Sequence, residues 1–210
     1  ASDVYKRQHL QKGGWKDIVL IERDELTSGS TWHAAGLLPL FNMSYATSHI
    51  HDYSVKFYKK LEKELNTDIG FKVVGNLRMA QTQDRMDEFM LYSSTADTVN
   101  IPYEWKNPKQ IKDRWPLVYS EDLKGAIYHP TDGYINPADL TQAIARSARS
   151  NDVKIERKTQ ADSFYWDGNS WHVQCSKMFE KGGNLLVSQE KVTYVAEHVV
   201  TATGLSLIHI

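Results

Sequence analysis

The sequence predicts an α/β fold organised around a parallel β-sheet, and three features support this prediction. Residues 17–22 form a continuous apolar run closed by an acid, and a run without alternation fits a strand buried on both faces. Residues 9–14 before it are typical of a last helical turn that ends in glycine. A second apolar run, residues 198–202, precedes another glycine. Helix, glycine turn and apolar strand together form the second half of a β-α-β unit.

Between these runs the hydrophobic pattern predicts helices first and a β-meander afterwards. Residues 44–66 carry apolar side chains at helical spacing, with Lys and Glu between them, which is typical of a helix packed on a core. Asn136 and Pro137 are a typical helix start. Further helices are predicted at residues 83–100, 108–115 and 137–150, and strands at residues 71–74, 76–80, 126–129, 153–157, 161–166, 170–176 and 185–194.

Composition excludes several classes of protein. A net charge of −1 gives no electrostatic reason to expect nucleic acid or an anionic membrane as a partner. No apolar stretch approaches the roughly 20 residues of a membrane-spanning helix. The single cysteine, Cys175, excludes an internal disulfide and a cysteine-based metal cluster, and its alternating surroundings predict a buried structural thiol. We expect a reducing, aqueous compartment.

Both ends of the chain are expected to be non-native. Residues 1–8 and 205–210 resemble peptides obtained when sequencing-adapter DNA is translated. Residues 9–204 are therefore taken as the genuine part, and the adapter-like ends suggest an environmental bacterium.

Glu22 is a candidate ligand of a nucleotide. In a dinucleotide-binding β-α-β unit, an acid at the end of the second strand binds the ribose hydroxyls of the adenosine half. The glycine fingerprint is expected roughly 20 residues earlier, at or before the start of this chain. A strand that ends in Ile-Glu-Arg also fits an ordinary solvent-facing strand end.

The segment that follows, residues 26–37, is suited to a large planar cofactor. Ser28, Ser30 or Thr31 could cap a helix whose free N–H groups face a pyrophosphate. His33 could attack the 8α-methyl position of an isoalloxazine through a neutral ring nitrogen; an isolated histidine is more often structural. Small residues that permit close approach of the backbone to a flat ring are Gly29, Ala34, Ala35 and Gly36.

Residues 22–36, Glu-Arg-Asp-Glu-Leu-Thr-Ser-Gly-Ser-Thr-Trp-His-Ala-Ala-Gly, resemble the signature of the dimethylglycine dehydrogenase and sarcosine dehydrogenase family. The resemblance implies that His33 carries covalently bound FAD and that Glu22 binds the ribose. Residues 132–140 are similar to a second family segment, with Asn136 in place of the usual Asp. Residues 199–204 are similar to the strand and turn that approach the flavin again. The further cofactor contacts implied are Arg23, Ser30, Thr31, Ala34, Ala35, Gly36, Leu37, Thr203 and Gly204.

The fold implied by this resemblance is a truncated, D-amino-acid-oxidase-like one. A Rossmann-like FAD-binding core is expected at about residues 9–70 and 135–204, with a mixed α+β substrate-domain insertion at about residues 71–134. The catalytic residues are expected beyond Gly204, so none is assigned.

The implied function is oxidative demethylation of an N-methyl glycine derivative by an FAD-dependent amine dehydrogenase or oxidase. Dimethylglycine is preferred over sarcosine because Ser30 and the Ala34-Ala35 pair look more like that branch. The electron acceptor is electron-transfer flavoprotein or oxygen, and tetrahydrofolate is expected to bind in a further C-terminal region. The location implied is cytoplasmic in a bacterium and the mitochondrial matrix in a eukaryote.

Two other functions stay open at this point. One is a non-catalytic regulatory homologue of the same family, and the other is a related amine oxidase with non-covalent FAD. Without a first strand and glycine loop, this chain by itself is not expected to bind FAD tightly. Five other histidines, His49, His51, His129, His172 and His198, show no metal-ligand spacing.

Overall fold

A computed structural model describes residue 10, residues 13–40 and residues 44–203. The chain divides into two compact units. The flanking unit comprises Ala1–Ala34 and Pro137–Ile210, and the central unit is Ala35–Asn136. In chain order the elements are β1 (Val19–Ile21), a 3-10 helix (Ser30–His33), β2 (Leu37–Leu38), α1 (Tyr45–Leu65), β3 (Lys72–Val73), β4 (Asn76–Ala80), α2 (Gln83–Thr98), β5 (Glu104–Lys106), α3 (Pro108–Arg114), β6 (Gly125–His129), β7 (Gly133–Tyr134), α4 (Pro137–Arg149), β8 (Lys154–Glu156), β9 (Thr159–Trp166), β10 (Trp171–Lys181) and β11 (Asn184–Ala196).

The flanking unit contains the predicted parallel strand pair. β1 pairs in parallel with β8, with Leu20 opposite Ile155, and Leu20 is 1% exposed. The predicted strand character of residues 17–22 is confirmed in its central part. β9, β10 and β11 form an antiparallel meander with β10 in the middle, as the alternating pattern predicted. Cys175 lies in β10 and is fully buried, and burial raises the pKa of its thiol. The prediction of a buried cysteine is confirmed.

The central unit contains two small antiparallel sheets and three helices. In one sheet β6 lies between β4 and β5, and all five residues of β6 are buried. In the other sheet β7 lies between β2 and β3. α1 buries Val55, Phe57 and Leu61. Phe57 and Leu61 lie one turn apart on the same face of the helix, and Val55 lies on another side of it.

Local capping explains where the helices of the central unit begin and end. The side chain of Ser44 accepts a hydrogen bond from the Thr47 amide at the start of α1, and Asn66 ends that helix in the left-handed conformation. Asn107 and Gln110 form a reciprocal capping box at the start of α3, with both hydrogen bonds 2.9 Å long. The predicted starts and ends of α1 and α3 are confirmed to within a residue, and α2 ends at Thr98, before the predicted Asn100.

The structure lacks one expected strand and adds three short ones, β2, β5 and β7, that the sequence pattern did not predict. Residues 198–202 were expected to form a strand, and they have no regular structure. An apolar run becomes a strand only where another strand pairs its backbone groups, and no described strand pairs with this one. β5 has no counterpart in the prediction, because three residues are too few for a periodic pattern.

The boundary between the units also differs from the sequence-based expectation at one end. The central unit ends at Asn136, close to the expected residue 134, but it begins at Ala35 and not at residue 71. The early start arises because β2 and α1 pack with β7 and α2 rather than with β1. The assignment of these units to FAD and substrate stays a prediction, and the expectation for residues 1–8 and 205–210 lies outside the described residues.

No helix in the described part of the chain is long and apolar enough to cross a membrane.

Candidate cofactor-binding site

Glu22 lies directly after β1, with its backbone fixed between two strands of the flanking unit. Its N–H donates to the Glu156 carbonyl at 2.8 Å, and its own carbonyl accepts from the Thr159 N–H at 2.9 Å. Its side chain is also oriented, because Oε1 accepts from the Asp24 amide at 3.0 Å. A half-buried carboxylate is thus held at the carboxyl end of a parallel strand, the edge at which open α/β sheets bind ligands.

The loop after Glu22 is attached to the connection between β8 and β9. Lys158 Nζ lies 2.6 Å from Asp24 Oδ1, and Arg157 Nη1 lies 2.5 Å from Glu25 Oε2. The hydrogen bond from Lys158 lowers the pKa of Asp24 below its ordinary value. Arg23, the residue before Asp24, is exposed. The ion pairs are partly exposed and weak in energy, so they orient the loop more than they stabilise the fold.

The next turn of chain is a 3-10 helix of four residues, Ser30–His33, and not the α-helix start that the sequence suggested. Gly29 precedes it, and no side chain makes the capping hydrogen bond. The predicted capping role of Ser28, Ser30 or Thr31 is therefore wrong. In so short a helix the backbone groups form hydrogen bonds within the turn itself. The Ala34 N–H, for example, donates to the Thr31 carbonyl at 3.2 Å.

The residues from 28 to 37 are all exposed or half-buried, although many of them are apolar or small. Trp32 is 67% exposed and Leu37 is 69% exposed. The rings of Trp32 and His33 are 4.6 Å apart and tilted by 50°. Ala34 and Ala35 are exposed beside them. Ten consecutive residues without a buried member, containing a tryptophan and a leucine, indicate a surface that a ligand or another part of the protein covers.

The carboxyl-terminal part of this segment is fixed within the central unit. Gly36 has a φ of +70°, a conformation that favours glycine, and its carbonyl accepts from the Ile135 N–H at 2.8 Å. Leu37 and Leu38 then pair with Tyr134 and Gly133. Gly36 and Ile135, which belong to the two similar segments and are far apart in sequence, are thus joined within the central unit.

These residues fit FAD on the chemistry of their side chains. A carboxylate at a strand end suits ribose hydroxyls, and exposed small residues let a flat ring approach the backbone. His33 is exposed, so the surrounding protein does not block access of a flavin ring to its imidazole. Thr203 is exposed in the irregular chain after β11, and Gly204 lies outside the described residues. The specific roles of all these residues stay predictions.

One group of functional interest was not found from the sequence. Arg78, Tyr92, His129 and Asp132 lie together in the central unit, where the last three are almost completely buried. The Tyr92 and His129 rings are 5.4 Å apart. Burial raises the pKa of Asp132 to about 6 and lowers the pKa of His129 to about 4, and the positive charge of Arg78 lowers both pKa values. In the sequence, His129 and Asp132 stand at and just after the end of the apolar strand at residues 126–129, a position that is also typical of an ordinary turn.

The pH dependence of stability should reveal Asp132 and His129 separately. Between about pH 4 and 6 the folded protein holds a proton on Asp132 and none on His129, whereas the unfolded chain does the reverse. Their contributions to the slope of stability with pH therefore cancel. In Asp132→Asn only the His129 contribution remains, and the unfolded state binds more protons than the folded state. The free energy of unfolding should therefore rise with pH in this window by up to about 1.4 kcal/mol per pH unit relative to wild type.

In His129→Gln the folded state binds more protons, and stability should fall with pH by a similar amount. Urea unfolding at several pH values between 4 and 6 measures both slopes. Slopes of the same sign in the two variants would contradict the assignment.

Residues that could bind a metal ion do not cluster: within the described ranges, no group of three or more His, Cys, Asp or Glu side chains is placed to hold one. The site is defined instead by a parallel strand that ends in a fixed carboxylate and by an exposed segment of small residues around a histidine. These features are typical of a protein that binds a dinucleotide cofactor. The model of the family "FAD dependent oxidoreductase" (DAO) matches residues 8–209, and the chain belongs to that family.

The relatives include dehydrogenases and a phosphatase regulatory subunit. Over 142 residues, 67% of this chain, the sequence is 42% identical to human mitochondrial dimethylglycine dehydrogenase, of which the match covers 16%. It is 38% identical over 72% of the chain to the mouse mitochondrial pyruvate dehydrogenase phosphatase regulatory subunit, of which the match covers 17%. The chain thus spans about a sixth of the length of these relatives.

Solved structures show the same fold. L-Proline dehydrogenase from P. horikoshii superposes with a TM-score of 0.75 over 88% of this chain and 47% of its own, at 22% identity. The predicted D-amino-acid-oxidase-like fold class is thereby confirmed.

Proposed function

We propose that the full protein oxidatively demethylates an N-methyl glycine derivative, dimethylglycine or sarcosine, and that His33 holds its FAD covalently. The observation that carries this proposal is the exposed segment from Ser28 to Leu37, with His33 at its centre, directly after the strand that ends in Glu22. The match to human dimethylglycine dehydrogenase supports it.

In this proposal the chain's own residues hold the cofactor. Glu22 binds ribose hydroxyls with a carboxylate that the Asp24 amide already orients. His33 would be the residue through which the isoalloxazine is held covalently. Ala34, Ala35 and Gly36 allow the backbone to lie against the ring, and Trp32 and Leu37 become covered and exclude water. FAD, when bound, supplies the acceptor for a hydride equivalent from the N-methyl carbon of the substrate.

Two measurements on the full-length protein test this proposal. Acid precipitation should carry the flavin absorption band into the protein pellet. In a separate sample of the native protein, anaerobic addition of dimethylglycine or sarcosine should bleach the flavin band. Glycine, which has no N-methyl group, should leave the band unchanged. A pellet without flavin contradicts covalent attachment, and a band that no N-methyl amino acid bleaches contradicts the reaction.

A second candidate function is that of a non-catalytic regulatory protein. The similarity to the mouse phosphatase regulatory subunit favours it. A regulatory homologue should fail the bleaching test with every N-methyl amino acid. An amine oxidase with non-covalent FAD should instead bleach but release its flavin into the acid supernatant, so the same pair of measurements separates all three.

The other parts of the proposal concern partners and location. Electron-transfer flavoprotein or oxygen reoxidises the flavin, and reoxidation rates in air and with electron-transfer flavoprotein under argon distinguish them. Tetrahydrofolate binds, in this proposal, to a region of the full protein outside the present chain. The location proposed is the cytoplasm of a bacterium, or the mitochondrial matrix in a eukaryote.

A further inference from the structure

Leu40 follows shortly after the segment that the proposed function assigns to the flavin, which ends at Leu37. Buried side chains form hydrogen bonds with both of its backbone polar groups. Its N–H donates to Asp132 Oδ1 at 3.1 Å, across 92 positions of sequence. Its carbonyl oxygen accepts from the Tyr92 hydroxyl at 3.4 Å. Leu40 is 3% exposed, Asp132 1% and Tyr92 0%. Hydrogen bonds so far from water matter more than exposed ones, because a buried group left without a partner is costly.

Asp132 is itself fixed independently of Leu40. Its carbonyl oxygen accepts from the Val74 N–H at 3.2 Å and from the Gly75 N–H at 2.8 Å, in the connection between β3 and β4. The carboxylate therefore projects from an anchored backbone. It can act as a fixed reference against which another segment is placed.

Besides the contacts at Leu40, a short strand pair, one backbone hydrogen bond and one side-chain contact hold this segment. In that side-chain contact, His51 Nδ1 lies 3.2 Å from the Pro39 carbonyl oxygen. β2 consists of two residues, Leu37 and Leu38, and pairs with two residues of β7. The Ile135 N–H adds one bond to the Gly36 carbonyl. A strand pair this short is marginal by itself, so the side-chain bond at Leu40 has a large share in fixing the conformation of residues 36–40.

We propose that Asp132 is a positioning residue for the cofactor: its buried carboxylate fixes the backbone of residues 36–40, and this fixed backbone sets the position of the Ala35-Gly36 stretch that lies against the flavin. The inference rests on the proposed function, because that function places the flavin beside residues 33–37. Asp132 touches neither the cofactor nor the substrate in this proposal and acts through Leu40.

In this proposal Asp132 acts through an oxygen that accepts a hydrogen bond, and its negative charge is not required. Arg78 and Asn76 from β4 and Tyr92 from α2 face it. Asparagine keeps an oxygen acceptor for the Leu40 N–H and has the same shape, whereas alanine leaves that N–H without a partner. The two substitutions therefore separate positioning from charge.

The test uses the full-length protein with FAD, as wild type, Asp132→Asn, Asp132→Ala and Ile111→Ala. Ile111 is fully buried in another part of the same unit, packed with Leu123 and Ala126. Its substitution is the control for a general loss of stability. Amide hydrogen exchange of the peptide that covers residues 36–40 is measured at a temperature at which all four proteins are folded. Visible circular dichroism of the bound flavin and its acid-stable fraction are recorded on the same samples.

We expect Asp132→Ala to exchange this peptide about tenfold faster than wild type, with an altered flavin dichroism and a lower acid-stable fraction. Asp132→Asn should stay within about threefold of wild type in exchange, because its amide oxygen still accepts the bond. Ile111→Ala should leave both the peptide and the flavin signal at wild-type values.

Equal exchange and equal flavin dichroism in Asp132→Ala and Ile111→Ala would overturn the inference. Exchange and flavin dichroism in Asp132→Asn that match Asp132→Ala rather than wild type would overturn it as well. If wild type itself carries no acid-stable flavin, covalent attachment is wrong, and the exchange and the dichroism of non-covalent FAD still decide the role of Asp132.

Discussion

Replacement of His33 by alanine in the full-length protein is expected to remove all flavin from the denatured polypeptide. In the proposed function the imidazole is the only protein group bonded to the cofactor, so no acid-stable flavin remains without it. Because His33 is exposed, its loss should change the free energy of unfolding by no more than about 0.5 kcal/mol. Flavin fluorescence of the protein band after denaturing electrophoresis measures the result.

His49→Ala is the matched control for this experiment. His49 is also exposed and also lies beside an aromatic ring, with the Tyr45 and His49 rings 4.4 Å apart. It lies on α1, outside the segment assigned to the flavin, and should keep the full fluorescence. A fluorescent His33→Ala band would place the attachment at another residue and would remove the main support for the proposed function.

Gly75→Ala is expected to destabilise the central unit by about 3 kcal/mol or more. Gly75 has a φ of +79°, and a Cβ built on it would overlap the Tyr128 hydroxyl oxygen and lie 2.5 Å from Tyr128 Cε2. Tyr128 cannot yield easily. It is 4% exposed in the middle strand of its sheet, its hydroxyl accepts from Arg114 Nη2 at 2.9 Å, and its ring lies 5.3 Å from that of Trp115.

The matched control is Gly183→Ala. Gly183 has nearly the same backbone conformation, with a φ of +78°, but nothing lies within 4 Å of its built Cβ. This substitution should cost only the left-handed conformation, about 1–2 kcal/mol. Denaturant unfolding gives the two losses, and hydrogen exchange of β6 shows whether the loss lies in the central unit. Equal losses in the two variants would mean that the Tyr128 contact is relieved at no cost.

The family fingerprint and the local structure could be derived from the sequence because short-range rules govern both. The ends of α1 follow from Ser44 and Asn66, which satisfy the helix termini within their own neighbourhood. The parallel pairing of β1 follows from an apolar run that lacks alternation. The candidate site was visible for the same reason, since residues 22–37 are continuous in the chain.

Other features depend on partners far away in sequence, and only the tertiary structure decided them. The apolar run at residues 198–202 has the composition of a strand, but a strand also needs a neighbour, and none of the described strands supplies one. The start of the central unit at Ala35 depends on which sheet β2 joins.

Asp132 shows the division most clearly. Its sequence signature, an acid before glycine, predicts a turn. Its burial, its raised pKa and its bond to Leu40, 92 positions away, exist only because β2, α2 and the end of β6 meet in the folded unit. The sequence by itself determined which segments could bind a flavin and where the helices start. The folded structure decided which side chains hold those segments in place, because a buried hydrogen bond depends on distance in space and not on distance along the chain.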